Sequence, residues 1–136
     1  MIMKIRRMFK RTEGQKGFTL IELVVVMAIL AVIAALAVPK VGTVLNESKA
    51  KAHNNNLDLI AHAAELYYDQ KGTLPTDMTT LVDDHYLKAI PGVPHKDIGS
   101  EYSLSITANG VVITPGLCKY DGGSFSVVSG GTTYTF

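Results

Sequence analysis

Residues 23–38 carry no charge at all, and residues 18–38, 21 in number, contain one ionisable side chain, Glu22. About 20 apolar residues at 1.5 Å rise each suffice for a helix to cross a bilayer's hydrocarbon core. After Pro39 the pattern changes. Val41, Val44, Leu45, Leu57, Ile60, Ala64, Tyr67 and Tyr68 recur at three- and four-residue steps with polar residues between them, the signature of an amphipathic helix. Together the two patterns predict one long helix from Phe18 to about Gln70. A kink is expected at Pro39, which lacks an N–H and crowds the preceding turn. Asn54-Asn55-Asn56 is a run of poor helix formers where local fraying is expected.

Lys71-Gly72 followed by Pro75 reads as a helix stop. Thr76 or Asp77 is placed to cap a short helix carrying Met78, Leu81 and Val82. Alternation then takes over in residues 102–107, with Tyr102, Leu104 and Ile106 on one face. Asn109-Gly110 is a hairpin signal, because both residues tolerate the positive φ of a type I′ turn. Further strands are expected at about 111–114, 124–129 and 132–136. The class is therefore α+β: a long N-terminal helix whose second half packs on a small antiparallel sheet of three to four strands. Three segments follow: a basic leader at 1–17, a membrane or core half of the helix at 18–39, and a head at 40–136.

Charge sharpens this division. Residues 1–17 hold six of the 13 basic residues (Lys4, Arg6, Arg7, Lys10, Arg11, Lys16) and one acid, Glu13. Lys and Arg beside a span keep their side cytoplasmic. Without the leader the chain has 7 basic and 11 acidic residues, formally −4, so generic phosphate or nucleic-acid binding is not expected. Cys118 is the single cysteine; it can form no internal disulfide and reads as a small buried hydrophobe.

Glu22 is the anomaly. A carboxylate at the bilayer centre costs on the order of 2.5–3.5 kcal/mol on insertion scales, so it needs a partner. Cutting the chain after Gly17 would create one, a free α-amine on Phe18 of a neighbouring copy. Two plainer readings stand beside this: a secretory signal with Ala35-Leu36-Ala37 as its small-residue cleavage site, and a one-pass anchor. The first leaves Glu22 and the length of the apolar block unexplained. The second needs neither Gly17 nor Glu22.

The block Lys16-Gly17-Phe18-Thr19-Leu20-Ile21-Glu22-Leu23, followed by the apolar run and Pro39, resembles the class III signal of type IV pilins and of the pseudopilins of secretion and competence systems. The resemblance implies cleavage after Gly17 by an aspartic prepilin peptidase at the inner face of the membrane. It also implies N-methylation of Phe18 and pairing of Glu22 with a neighbour's Phe18 amine. It implies a ladle-shaped subunit held in the cytoplasmic membrane with its N-terminus cytoplasmic, then polymerised through its N-terminal helices into a cell-surface filament. An inner-membrane assembly platform and minor pilins would be its partners. The alternative from the same resemblance is a major pseudopilin forming a short piston.

Enzyme chemistry is not expected, nor a cofactor or a metal. His53 and His62, nine residues apart, face opposite sides of a helix. His85 and His95 fall in or near loops without a second ligand. Asp97, Glu101 and Asp121 are too sparse for a calcium site. Asn46-Glu47-Ser48 matches a glycosylation sequon formally, but on a helix.

Overall fold

The computed structural model describes residues 17–108 and 110–136; the expectations placed on residues 1–16 and on Asn109 lie outside these. The chain divides into two compact units, Met1–Val38 and Pro39–Phe136. One helix, α1 (Leu20–Lys71), contributes to both and includes Pro39. In the first unit, among the described residues, an 18-residue window of α1 with mean hydropathy 3.0 is wholly unburied. This helix is long and apolar enough to cross a membrane.

In the second unit α1 turns amphipathic, burying Ala50, His53, Leu57, Ile60, Ala61 and Ala64 on one face. It stops at Lys71, where Gly72 takes φ 69° and donates its N–H to the Tyr68 carbonyl at 2.8 Å. Only glycine enters this left-handed region without steric cost, so the stop is written in the residue. The short helix α2 (Met78–Asp83) follows. Asp77, rather than Thr76, is its cap: the carboxylate accepts from the Thr79 hydroxyl at 2.7 Å and the Thr80 N–H at 2.8 Å. These bonds hold the Asp77 carboxyl below the usual carboxylate range, the Thr79 hydroxyl contributing most.

Five short strands complete the unit: β1 (Ser103–Thr107), β2 (Gly110–Thr114), β3 (Cys118–Tyr120), β4 (Phe125–Val127) and β5 (Thr132–Tyr134). They form a small antiparallel sheet layer, as the α+β expectation has it: three strands ordered β1-β2-β5 and a further pair, β3-β4. The first sheet contributes Leu104, Val111 and Ile113 to a core shared with Leu57, Ile60 and Leu81. The second meets α1 through a smaller cluster of Ala50, Ile98 and Cys118.

Three local expectations change. Ile106 is 49% exposed: its cross-strand partner Val111 lies on the central strand, whereas Ile106 sits near the hairpin end of an edge strand. The register pairs Thr107 with Gly110, so Gly110 opens β2. There it serves a close approach. A Cβ there would lie 1.9 Å from the Tyr134 carbonyl oxygen, so this position joins β2 to the end of β5 only as glycine.

The third change concerns the asparagines, which stay helical and hold the sheets. Asn54 donates to the Cys118 carbonyl at 2.9 Å and accepts from the Cys118 N–H at 2.8 Å. Its amide thus pairs with the outer edge of β3 as a neighbouring strand would. Asn56 donates to the Gly92 carbonyl and the Tyr102 hydroxyl, each at 3.3 Å.

Beside them His53 is fully buried and contacts the Tyr102 hydroxyl and the Gly116 carbonyl, each at 2.8 Å. A carbonyl only accepts, so Nε2 carries the proton; Nδ1 of the neutral ring then accepts from the Tyr102 O–H. Burial raises the Tyr102 pKa and keeps that donor protonated. Replacing His53 by Phe keeps much of the volume but leaves the Tyr102 O–H without its acceptor and the Gly116 carbonyl without its donor. Each orphaned buried group costs about 1–3 kcal/mol. His53→Phe should therefore lower head stability by roughly 2–5 kcal/mol in urea unfolding followed by circular dichroism; a change under about 0.5 kcal/mol would contradict this network.

Candidate processing and assembly site

Gly17, Phe18 and Thr19 precede the helix, and all three are exposed. Thr19 ends the non-helical stretch. Its carbonyl accepts the Leu23 N–H at 3.2 Å, while its hydroxyl oxygen accepts the Glu22 N–H at 3.3 Å. Glu22 returns the favour: its Oε2 accepts from the Thr19 N–H at 2.8 Å and the Thr19 hydroxyl at 3.1 Å. This is a reciprocal capping box, Thr at the cap position and Glu three residues on. It satisfies two backbone donors that the start of a helix otherwise leaves open. It also places a negative charge in the first turn, where the helix dipole favours it.

The Thr19–Glu22 box was available to sequence reasoning, as Thr-x-x-Glu ahead of an apolar run. It changes the account of Glu22, which has a partner within its own chain. The carboxylate lies beside the Thr19 backbone nitrogen, one residue from Phe18. Phe18, Ile21, Glu22, Val25 and Val26 line one shallow groove, and Phe18 is 90% exposed. Such a surface is stable only against lipid or other apolar helices.

The remaining candidates stand apart from this place. Pro39 lies within α1, and its carbonyl accepts from the Thr43 hydroxyl at 3.3 Å. His62 is exposed, 3.3 Å from Glu65, so His53 and His62 occupy opposite environments. His95 sits beside Asp97, and Asp121 pairs with Lys119 at 3.3 Å. Among the described residues no group of three His, Cys, Asp or Glu side chains could hold a metal ion. Asn46 is half-buried on α1.

Cys118 is a free, buried thiol whose pKa burial raises. Since the thiolate is the reactive form, a raised pKa means slower alkylation. Iodoacetamide at neutral pH should modify the native chain at least roughly tenfold more slowly than the urea-unfolded chain; equal rates, read by mass spectrometry, would show that the thiol is accessible and ionised.

A family model described as the prokaryotic N-terminal methylation motif matches residues 14–38. A fimbrial protein, EcpC of Eikenella corrodens, is 40% identical over 63 residues, covering 46% of this chain and 41% of that protein. The chain thus matches about two-fifths of that relative's length. No solved structure matches significantly.

Proposed function

We propose that this chain is the precursor of a type IV pilin-like structural subunit, in keeping with the methylation motif over residues 14–38 and the fimbrial relative. In this reading a prepilin peptidase removes the leader after Gly17 and the new Phe18 amine is methylated. The subunit waits in the cytoplasmic membrane with its basic leader side cytoplasmic, as the positive-inside rule requires. It then polymerises through its N-terminal helices into a surface filament, with an assembly platform and minor pilins as partners. Pro39 would let α1 bend as neighbouring helices pack. A short pseudopilus would use the same parts, and cryo-microscopy of sheared surface fibres separates the two by length.

One observation carries the proposal: a carboxylate in the first turn of α1, next to the expected cleavage point and followed by a stretch with no other charge as far as Val38, whose 18-residue apolar window is unburied. A charge so placed suits pairing with the cation that cleavage creates on Phe18 of a neighbour. The contact is heterologous, so growth is open-ended.

Two measurements test it. The mature subunit should begin at N-methyl-Phe18 by intact mass; a chain beginning at Val38 would establish an ordinary signal instead. Glu22→Gln then separates docking from capping, because glutamine supplies the same cap oxygen without the charge. Removing one member of a buried ion pair typically costs about 3–5 kcal/mol. Cells carrying Glu22→Gln should hold processed, membrane-resident subunit and almost no filament. Normal filament abundance would leave Glu22 as a helix cap and remove its docking role.

A further inference from the structure

α1 keeps an uncovered apolar face after the uncharged stretch has ended. Val41, Val44 and Leu45 are each more than half exposed and, with Lys40 and Ser48, line one shallow groove. They belong to the second unit, yet the first α1 residue that is buried there is Ala50. Thr43 is the one polar side chain among residues 41–45, and its hydroxyl donates back to the Pro39 carbonyl at 3.3 Å. A hydroxyl satisfied within its own helix needs no water. Asn46 and Glu47 then end the apolar run. Among the described residues no carboxylate pairs with Lys40.

We infer that residues 40–45 lie in the outer headgroup layer of the membrane, with the Lys40 ammonium on a phospholipid phosphate and Val41, Val44 and Leu45 against lipid. The inference rests on the membrane reading above and carries the lipid contact past Val38. At 1.5 Å per residue, residues 18–38 already fill a hydrocarbon core of about 30 Å. A headgroup layer adds about 5–7 Å, or about four residues of helix. The residues directly after Val38 therefore have nowhere else to lie. Val44 and Leu45 stand slightly further out, but helical side chains lean back toward the N-terminus, here toward the membrane. An apolar helix face settles at such a boundary to a depth of about 5–10 Å. Lys40, two residues past Val38, brings a cation to the level of the phosphates while its stem lies along apolar surface.

The chain contains no tryptophan, so a single introduced one reports its own surroundings. The full-length chain, in vesicles of phosphatidylethanolamine and phosphatidylglycerol, carries Val32→Trp, Val44→Trp or Leu59→Trp. All three positions are more than half exposed on α1, so none disturbs a core. Val44→Trp should emit at shorter wavelength than Leu59→Trp and be quenched by acrylamide at least roughly threefold less, as fits an interfacial depth. Lipids brominated near the headgroup should quench Val44→Trp, whereas Val32→Trp should answer to bromines near the chain ends. Adding Lys40→Glu should raise the acrylamide quenching of Val44→Trp roughly twofold, because anionic headgroups repel an acid there; Lys40→Arg should leave it unchanged. Equal acrylamide quenching of Val44→Trp and Leu59→Trp would overturn the interface. So would a Val44→Trp signal shielded from acrylamide and bromolipid alike, which marks a second copy as the cover. No effect of Lys40→Glu would overturn the phosphate contact. A Val32→Trp signal out of reach of the deep bromines would remove the membrane reading itself, and this inference with it.

Discussion

Residues 18–38 cannot be solvated, and this constraint shapes the rest of the chain. A helix whose 18-residue window reaches a mean hydropathy of 3.0 with nothing packed on it belongs in lipid or among other helices. Either place denies water to its backbone. Helical bonding satisfies the interior, but the first N–H groups have no carbonyl behind them. Thr19 and Glu22 supply that end with oxygens from their own side chains. A feature that a water-exposed helix could omit for about 1 kcal/mol becomes far more costly to lose here.

The same helix meets the opposite problem past Pro39. With about 98 residues and no disulfide, the head has a modest apolar core. Polar residues of α1 therefore do part of the joining. His53, Asn54 and Asn56 each bond to backbone in the loops or strands that face them. Such bonds are directional in a way that alanine and leucine contacts are not. Asn54 fixes β3 in one register by holding both the N–H and the C=O of Cys118. The net gain per bond is near 1 kcal/mol, whereas losing one partner exposes the full desolvation cost of the other. Specificity, more than affinity, is what these side chains add.

Local signals were the legible ones. The stop at Lys71-Gly72, the Asp77 cap and the β1–β2 hairpin each follow from neighbouring residues, and so does the α+β class. β3 was not legible, because its three residues lack a full alternation and its edge partner, Asn54, lies 64 positions away. Long-range pairing likewise decided the asparagine run: low helix propensity points to fraying, yet tertiary hydrogen bonds override it. Ile106 continues the alternation of β1 but lies beyond what the core covers. The Thr19–Glu22 box is legible too, but a reading of Glu22 through its charge alone passes over it.

Capping and docking need not compete for Glu22. Both Thr19 contacts fall on Oε2, and a carboxylate offers roughly four acceptor positions over its two oxygens. The capped conformation fixes the side chain and so removes most of the rotamer entropy that a later ion pair would otherwise have to overcome. It also holds the charge at the helix start, where the dipole favours an anion and disfavours the Phe18 cation of the same chain. Were the chain cut after Gly17 as proposed, the cap would leave Glu22 open to a cation that its own helix start repels, and so to a neighbour's.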